Sequence, residues 1–586
     1  MSSQPPLGST PLEGGSLPTG QGVADRLSAP TTARSVGGGI LTVLACGLVT
    51  AALVTPNTSR LLTPAAFVRV PLEGLLAAGF LLLLPERVRS MASALIGTLL
   101  GSLLVVKLFD IGFFTVLARP FDPLNDWELL DDATGFLRES MGPTESVMIV
   151  TGVAVLLAGI PVLTVAAVRR IAGAAVRHRG EATSGVAVLG LVWTTCSLAG
   201  THVVPGVPVA SRSASILASA KVLAVKAGLD DRRTFSTEIA SDPFRHLPAD
   251  QLLAGLRGKD VLVAFVESYG RDAVENPRIA PGVNAVLDDG TRRLAARGFS
   301  ARSGFLTSPT AGGGSWLAHT TFLSGLWVDD QQRYRTAVSS DRLTLGGAFR
   351  RAGWRTVGVV PGVTRAWPEG RFFGLGTVYD SRDLGYRGPH FGWAPVPDQY
   401  TLLAYERLER GRPGPGKPGR GPIMAEIPLV SSHGPWAPLP KMIGWNAVGD
   451  GSVYTAMAAS GGTADDVLKD TERARPAYQA SIEYSLSSLI SYVETYGDDD
   501  TVVVFAGDHQ PAPLITGEDA GRDVPITVVA RDRAVLDRTS GWGWDDGLRP
   551  GPSAARWPMS AFRDRFLTAF SSSSRSDRPF AGPSLR

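Results

Sequence analysis

Cysteine is scarce in this chain of 586 residues, which contains only two. Both of them, Cys46 and Cys196, lie in apolar stretches of the first third of the chain. A disulfide framework, a cysteine-based metal site and a cysteine nucleophile are therefore excluded for the C-terminal part. Charge imbalance is also missing, because 57 basic and 54 acidic residues leave a net charge of +3. Nothing in this balance indicates a nucleic-acid partner.

The apolar residues, in contrast, are concentrated in five segments of the first third. Each segment has about the length needed to cross a hydrocarbon core of ~30 Å. A cleaved signal peptide is a poor alternative, because a long polar tail precedes the first segment and four more segments follow. We therefore predict five transmembrane helices within residues 37–205, in preference to buried helices of a soluble protein. The segments lie at roughly 38–56, 70–85, 91–118, 146–168 and 185–205.

The loops between these segments predict the orientation of the chain in the membrane. Basic loops tend to remain in the cytoplasm. The N-terminal tail and the loops after segments two and four carry arginine, whereas the loop after segment three is acidic. The N-terminus is thus expected inside a plasma membrane, and five crossings place everything after about residue 206 outside the cytoplasm. The basic residues are Arg26, Arg34, Arg87, Arg89, Arg169, Arg170, Arg177 and Arg179.

Two ionisable residues, Lys107 and Asp110, lie three positions apart within the third segment. Such a pair on one helical face is often functional. The alternative is a mutually neutralised pair near the outer interface that orients the helix.

Composition divides the chain into five regions. Residues 1–36 are rich in Ser, Pro, Gly and Thr and predict a disordered cytoplasmic tail. The membrane region, 37–205, is followed by a juxtamembrane linker with some helix at 206–258 and a soluble domain at 259–568. The Ser/Arg-rich end, 569–586, is predicted to be disordered.

The soluble domain alternates short β-branched runs with helical patterns. Continuous apolar runs suit strands buried on both faces, and strand–helix alternation predicts an α/β domain with a mainly parallel sheet flanked by helices. The longest helical pattern, 472–497, places Tyr478, Ile482, Leu486, Leu489 and Val493 on one face. The strand candidates are 260–268, 355–360, 422–432, 501–507 and 524–530.

Three of these runs end in residues that can bind a metal or a polar substrate. Glu267 ends the first run, His433 the third, and Asp508 with His509 the fourth. Ligands bind beyond the carboxyl ends of the strands in such sheets, so we expect these side chains to converge on one rim. Two carboxylates and an imidazole suit Zn²⁺ or Mn²⁺. A helix cap and a structural histidine are the alternatives for single members of the set.

A glycine run, "TAGGGSWLAH" at 310–319, precedes a helical pattern that starts near Ser315. It lacks the lysine of a phosphate-binding loop and the G-x-S-x-G spacing of a hydrolase elbow. Ser315 is either a helix N-cap or a nucleophile. The functional alternative uses the same geometry, because a helix N-terminus favours a phosphate and glycines allow close backbone approach. His319, one turn further on, either faces this site or packs against the sheet.

The ordered set "VESYG", "GGGSW", "SSHGPW" and "GDHQP" behind five membrane segments resembles the alkaline phosphatase/sulfatase superfamily. It resembles most closely the lipoteichoic acid synthase branch, which joins a five-helix membrane region to an extracellular sulfatase-like domain. The similarity spans roughly residues 38–540 and includes "KLFDIGFFTVLARPFDPLNDW" at 107–127, which looks like the third membrane segment of that branch.

The resemblance implies a site with one divalent metal, for which Mn²⁺ is expected and Mg²⁺ or Zn²⁺ are alternatives. It implies that Glu267, Ser315, Asp508 and His509 bind this metal and that Ser315 is the nucleophile. His433 would contact the substrate phosphate or assist proton transfer. The segment 365–380 resembles one that contacts a phosphoglycerol group, with Trp367 and Arg371 as the substrate-binding candidates.

Some features depart from the family pattern. The nucleophile is Ser315 where the lipoteichoic branch usually has threonine, and the spacing from Trp367 to Arg371 is wider than in that branch. No C-x-P-x-R or S-x-P-x-R motif is present, so the formylglycine of sulfatases cannot form. No histidine follows His509, which argues against the second zinc site of some phosphoethanolamine transferases.

Together these features predict an enzyme, a metal-dependent phosphotransferase at the outer face of the membrane. It would move a phosphoglycerol-type head group from a phosphatidylglycerol-like lipid, through a phospho-Ser intermediate, to a cell-envelope glycan or polymer. A phosphodiesterase or phosphatase that uses water as acceptor shares the first half of this reaction and is the alternative. A non-catalytic scaffold and a transporter fit the residues less well, because all four metal-ligand candidates are present and about half of the chain is a soluble domain.

Overall fold

The computed structural model describes residues 31–364, 367–411, 421–517 and 519–572. The predicted N-terminal tail lies outside these residues up to position 30, and the predicted C-terminal tail from position 573 onward. Within the described part, an N-terminal helical region precedes an α/β domain built on one large sheet.

Long apolar helices make up the N-terminal region. The first helix already begins at Thr31, within the segment that composition predicts as tail. The predicted juxtamembrane linker contains a helix of 28 residues, Ser213–Ala240. The helices of this region are α1 (Thr31–Val54), α2 (Leu72–Leu83), α3 (Glu86–Leu117), α4 (Trp127–Met141), α5 (Pro143–Arg177), α6 (Arg179–Ala199) and α7 (Ser213–Ala240).

The predicted count of five transmembrane helices needs correction. Four helices of the described chain, α1, α3, α5 and α6, are long and apolar enough to cross a membrane. The second predicted segment forms only the 12-residue helix α2. At 1.5 Å per residue α2 is about 18 Å long, well short of the ~30 Å of a hydrocarbon core. Pro71 precedes α2 and Pro85 follows it. Because proline disfavours the helical conformation in the residue before it, α2 ends ahead of Pro85.

Lys107 and Asp110 do not neutralise each other, contrary to one of the two interpretations of the sequence. The Lys107 ammonium donates to the carbonyls of Ala52 and Leu53 at the C-terminal end of α1, at 2.9 Å each. Asp110 instead accepts from Lys221 of α7 at 2.6 Å. Each charge of α3 therefore stabilises a different neighbour, a helix C-terminus and the helix that leads to the α/β domain.

The α/β domain contains one mixed sheet. Its order is β8-β2-β7-β6-β1-β5-β3-β4, and β9 pairs with β2 outside this path. The five strands β6, β1, β5, β3 and β4 run parallel, whereas β7 is antiparallel to both β6 and β2. The prediction of a mainly parallel sheet is thus confirmed. The strands are β1 (Asp260–Val266), β2 (Ser300–Thr307), β3 (Arg355–Val360), β4 (Thr377–Asp380), β5 (Ile423–Leu429), β6 (Thr501–Gly507), β7 (Asp523–Ala530), β8 (Asp545–Asp546) and β9 (Arg556–Pro558).

Helices cover both faces of the sheet and divide the core in two. One half centres on α16, whose predicted apolar face is fully buried against β1 and β5. The other half lies under α10, α12 and α19. The helices of this domain are α8 (Asp272–Glu275), α9 (Ala280–Ala296), α10 (Ser315–Ser324), α11 (Gln331–Val338), α12 (Leu345–Arg351), α13 (Asp398–Tyr405), α14 (Thr455–Ser460), α15 (Ala464–Leu468), α16 (Thr471–Tyr496), α17 (Pro513–Thr516), α18 (Arg533–Asp537) and α19 (Ala561–Phe570).

Candidate metal and nucleophile site

Three adjacent parallel strands end at the same rim of the sheet. Glu267 follows β1, His433 follows β5, and Asp508 with His509 follows β6. Because β1 lies between β5 and β6, the turns after these strands are neighbours. The structure therefore brings these four residues together at the edge of the sheet where the strand pattern of the sequence predicts them.

Ser315 reaches the same rim from a fourth strand. Strand β2 runs in the same direction as β6, since both are antiparallel to β7, and the glycine loop that follows β2 leads into α10. Ser315 is the first residue of α10, and Gly314 before it has a φ of +82°. The Ser315 Oγ lies 2.9 Å from Glu267 Oε2 and 3.2 Å from His509 Nε2. Its hydroxyl is thus directed at the carboxylate–imidazole group rather than at the backbone of its own helix.

Hydrogen bonds tie the glycine loop to the turn after β6. The Gly312 amide donates to the Gln510 carbonyl at 2.8 Å, and the Ser308 hydroxyl donates to the Asp508 carbonyl at 2.6 Å. These bonds hold the approach to Ser315 against the segment that carries Asp508 and His509. The position of Ser315 relative to His509 is consequently set by backbone contacts as well as by the side chains.

The glycine run also contacts the end of membrane helix α3. A Cβ on Gly312 would lie 1.9 Å from the Val116 carbonyl oxygen, and Gly312 has a φ of +74°. A Cβ on Gly313 would approach the Leu117 side chain to 3.1 Å. Glycine at these positions therefore allows the C-terminal end of α3 to pack directly on the loop that precedes Ser315.

We expect Gly312→Ala to lower kcat/KM about tenfold or more, because the loop has to move before the new methyl group fits and Ser315 lies three residues away. The measurement is turnover of a phosphodiester by the full chain in detergent. Gly541→Ala is the matched control, since a Cβ at Gly541 meets nothing within 4 Å. Equal activity of the two variants would contradict this role of the glycine run.

The carboxylates and the imidazole form a group that fits a metal ion. Ligand atoms of Glu267, Asp508 and His509 all lie within 4.8 Å of one another, and all three residues are buried. Among the residues that the structure describes, no lysine or arginine pairs with either carboxylate. Two buried carboxylates that share a single imidazole as their basic partner are unfavourable unless a cation joins them.

The tautomer of His509 also fits a metal ligand. Its Nδ1 lies 2.8 Å from the Gln510 carbonyl, and because a carbonyl only accepts, Nδ1 carries the proton. In the neutral imidazole that binds a metal, the lone pair is then on Nε2, which lies 3.3 Å from Glu267 Oε1 and faces the group. A histidine whose outer nitrogen is held in this way is the usual arrangement at metal sites.

Without a bound cation the two carboxyl groups titrate very differently. Burial raises the pKa of Glu267, but the attraction of His509, His433 and nearby hydrogen bonds outweighs it and holds the pKa at about 2. Burial, and then repulsion by the Glu267 carboxylate, raise the pKa of Asp508 to about 7. Burial lowers the pKa of His509, but Asp508 and Glu267 outweigh it and raise that pKa. The metal-free group therefore holds protons on Asp508 and His509 that a bound cation would displace.

A cavity of about 700 Å³ opens from this group. Its wall includes His433, Trp367 and Leu137 of helix α4. The His433 ring stacks on Trp393 with centroids 4.1 Å apart, and its Nδ1 donates to the Gly434 carbonyl at 2.7 Å. The Nε2 atom of His433 is accordingly the one that can exchange a proton with a substrate. Trp367 stacks on Phe373 at 5.3 Å and contributes an apolar surface.

Arg371 is not brought to this cavity. It follows Trp367 on a 3₁₀ turn, Pro368–Arg371, which directs its exposed side chain to a separate cavity of about 440 Å³ that Arg350 and Arg351 also line. The predicted contact of Arg371 with a substrate phosphate is therefore not supported by its position. Arg365, at the start of the same segment, lies outside the described residues.

His319 packs against the sheet and also faces the site, so it combines the two alternatives that the sequence left open. Its ring stacks on Phe265 of β1 at 3.9 Å, and it also lines the cavity. Burial lowers the pKa of His319 to about 3, so the ring is neutral. Its Nε2 is buried and has no hydrogen-bond partner among the described residues.

The cavity residues that the sequence analysis missed include Glu426, Trp393 and Leu137. Only Glu426 carries a local signal, because it is the one charged residue in the apolar run "PIMAEIPLV". Trp393 lies in an irregular loop, and Leu137 lies on a helix between two membrane segments, where sequence spacing gives no indication of the contact.

Comparison with known proteins gives matches among solved structures alone. No family model and no curated protein matches the chain. The lipoteichoic acid synthase LtaP from Listeria monocytogenes is 15% identical with a TM-score of 0.32, over 50% of this chain and 69% of that one. The Streptococcus pyogenes phosphoglycerol transferase GacH, in complex with sn-glycerol-1-phosphate, is 14% identical with a TM-score of 0.33, over 60% and 87%.

A third neighbour is the C-terminal periplasmic domain of EcEptC from Escherichia coli. It is 11% identical with a TM-score of 0.34, over 54% of this chain and 82% of that one.

Proposed function

We propose that this protein is a metal-dependent phosphotransferase that acts on a phospholipid head group at the outer face of the membrane. The observation that supports this function is the position of the Ser315 hydroxyl, 2.9 Å from Glu267 and 3.2 Å from His509, in a buried group that fits a divalent cation. Mn²⁺ is the metal we expect, with Mg²⁺ or Zn²⁺ as alternatives.

Ser315 is the proposed nucleophile. A divalent cation held by Glu267, Asp508 and His509 would lower the pKa of the Ser315 hydroxyl. The hydroxyl already donates toward the Glu267 carboxylate, so its proton has an acceptor as Oγ bonds to phosphorus. The bond from phosphorus to the diacylglycerol oxygen then breaks, and diacylglycerol leaves after it has gained a proton.

His433 is the proposed acid–base residue. Its protonated Nδ1 is held by the Gly434 carbonyl, so Nε2 can give a proton to the leaving diacylglycerol and later take one from an attacking hydroxyl. In the second step the acceptor oxygen bonds to phosphorus, and the bond to Ser315 Oγ breaks. A hydroxyl of a cell-envelope glycan or polymer is the proposed acceptor.

The N-terminus of α10 is the proposed phosphate-binding element. The helix has ten residues, and its first turn directs backbone N–H groups and the positive end of the helix dipole to the position of Ser315. Negative charge that develops on the phosphoryl oxygens would be stabilised there without an arginine. This element takes the role that the sequence analysis gave to Arg371.

The membrane region supports a lipid as the donor. Helix α4 contributes Leu137 to the cavity, and the end of α3 packs on the glycine loop, so the cavity lies beside the segments that enter the bilayer. A phosphatidylglycerol-like lipid in the outer leaflet fits this position. With the N-terminus in the cytoplasm, as the basic loops indicate, an α/β domain at the outer face needs an odd number of crossings, so α2 has to enter the membrane as a fifth segment beside the four long helices.

Labelled phospholipids test the proposal. The full chain in detergent is incubated with phosphatidylglycerol, phosphatidylethanolamine or phosphatidylcholine, with EDTA or with Mn²⁺, Mg²⁺ or Zn²⁺, and the Ser315 peptide is analysed by mass spectrometry. We expect diacylglycerol release and a phosphoglycerol adduct on Ser315 with Mn²⁺, and neither with EDTA. No release from any lipid with any of the three metals would contradict the proposal.

The acceptor is tested in the same reaction. With a polyol or glycan present, labelled phosphoglycerol is expected on that acceptor. Exclusive release of free glycerol phosphate would instead support the phosphodiesterase alternative.

A further inference from the structure

Two polar atoms on the cavity wall have no partner within the described chain. They are Glu426 Oε2 and His319 Nε2, and both are buried. Glu426 is only 2% exposed. Both residues line the same cavity as Ser315 and His433. Because an unpaired buried polar atom destabilises a protein by ~1–3 kcal/mol, such atoms in a cavity wall indicate a ligand that pairs with them.

Glu426 lies further from the carboxyl ends of the strands than the metal and nucleophile site does. On β5 it pairs with Val263 of β1, whereas Glu267 follows β1 four residues further on. At about 3.3 Å per residue, the two glutamate backbones are separated by roughly 13 Å along the strands. One cavity is lined by Glu267, Ser315 and Glu426, so a group attached to a phosphate at Ser315 would extend along this cavity toward Glu426.

His319 and Glu426 lie over the same face of the sheet. Side chains two residues apart on a strand share a face, so Glu426 lies on the face of Met424, in the half of the core that also contains Phe265. His319 stacks on Phe265, and the backbone of Phe265 pairs with Pro428, two residues beyond Glu426. The two unpaired atoms thus lie over the same face of the neighbouring strands β1 and β5, and both residues line the cavity there.

Neither group carries a charge at neutral pH. Burial raises the pKa of Glu426 to about 8, so its carboxyl group is mostly protonated and can both donate and accept. His319 is neutral for the same reason. The surrounding wall is apolar, with Trp367, Phe373 and Val360. A hydroxyl group also donates and accepts without charge, whereas an ammonium group only donates and loses its hydration on entry.

We propose that Glu426 and His319 form a subsite for the hydroxyl groups of an uncharged polyol head group whose phosphate lies at Ser315. This inference rests on the proposed function, since it names the class of head group that the same site accepts. Glu426 is here a specificity residue and takes no part in bond making or breaking.

Binding of two soluble phosphates tests the subsite. Isothermal titration of glycerol phosphate and of propyl phosphate, which lacks both free hydroxyls, is carried out with the full chain in detergent and Mn²⁺. We expect the wild type to bind glycerol phosphate at least tenfold tighter than propyl phosphate, and Glu426→Leu to reduce this preference to about twofold. Glu426→Gln is expected to keep most of it, because an amide also donates and accepts.

Two further variants complete the design. Met424→Leu, on the same strand and face, is expected to leave the preference unchanged. His319→Phe keeps a ring on Phe265 but removes Nε2, and it is expected to reduce the preference severalfold even if Glu426→Leu does not fold. A preference that survives both Glu426→Leu and His319→Phe, or a tighter binding of ethanolamine phosphate than of glycerol phosphate, would overturn the proposal.

The outcomes also separate this inference from the proposed function. A glycerol phosphate preference that depends on Glu426, together with no lipid turnover, would reject the transferase and keep the subsite. Lipid turnover on Ser315 without any dependence on Glu426 would reject the subsite and keep the transferase.

Discussion

Replacement of Ser315 by alanine is expected to reduce release of diacylglycerol by at least ~10³-fold, which corresponds to about 4 kcal/mol of transition-state stabilisation. The Ser315 oxygen is the atom that would bond to phosphorus, and alanine leaves only a methyl group at that position. The fold should be retained, because α10 begins at Ser315 without a side-chain cap and is anchored by its buried apolar residues. Single-turnover release from labelled phosphatidylglycerol is the measurement.

Two variants of the same helix serve as controls. Thr320→Val removes a hydroxyl that bonds only to the Trp316 carbonyl of its own helix, at 2.6 Å, and should leave the rate within about threefold. Ser315→Thr keeps a hydroxyl and should retain measurable activity. Metal affinity of Ser315→Ala should stay close to that of the wild type, since Glu267, Asp508 and His509 remain. Undiminished activity of Ser315→Ala would refute the assignment of the nucleophile.

The residues at this rim of the sheet could be predicted from the sequence, because buried parallel strands have a recognisable pattern of continuous apolar runs. The runs at 355–360 and 501–507 coincide with β3 and β6, and Asp508 follows β6 directly. Continuous β-branched runs have to be buried on both faces, and parallel strands bring their carboxyl ends to one edge. Residues at strand ends thus come together without any knowledge of the loops.

The strand that leads to Ser315 could not be predicted in this way. Strand β2 has the sequence "SARSGFLT", which contains polar residues at positions that are buried in the sheet. Ser303, one of them, is satisfied by Thr527 of β7 at 2.8 Å and by the Gly547 carbonyl. Tertiary partners therefore override the poor strand propensity of this run. Only the resemblance to a family placed Ser315 at the rim.

Long-range packing explains the remaining differences. The family resemblance of segment 365–380 implies a shared substrate surface for Trp367 and Arg371, but the 3₁₀ turn between them sends the two side chains to different cavities. The contact of Gly312 with Val116 joins residues almost 200 positions apart, and no local pattern encodes it. The glycine run is thus explained by its close contacts with a membrane helix as well as by the chemistry of the serine that follows.

Asp508→Asn is expected to weaken Mn²⁺ binding by at least ~100-fold and to remove activity to a similar or greater extent. The substitution is well matched in shape. Asp508 Oδ1 accepts from the backbone amides of Ser268 and His509, at 2.8 Å each, and the asparagine oxygen can keep both bonds. The other oxygen, Oδ2, faces His509 at 3.7 Å, and an amide nitrogen there cannot bind a cation.

The same variant should be more stable than the wild type when no metal is present. Burial and the Glu267 carboxylate raise the pKa of Asp508 to about 7 in the metal-free fold, above the usual value near 4. The folded state then binds more protons than the unfolded state between about pH 4 and 7, so metal-free stability falls as pH rises through this window. Asparagine removes that titration, and the fall should be smaller in Asp508→Asn.

Thermal unfolding and calorimetric titration with Mn²⁺ together test these two expectations on the full chain. Wild-type protein in EDTA should lose thermal stability from pH 5 to pH 8 and regain it with Mn²⁺, whereas both changes should be smaller in Asp508→Asn. Asp398→Asn is the matched control, because Asp398 is an equally buried carboxyl group that bonds to Ser431 and Ser485 instead of the metal group. Asp398→Asn should bind Mn²⁺ with nearly wild-type affinity. If Asp508→Asn did the same, the carboxylates at this rim would not be the cation site, and the activation of Ser315 would need another source.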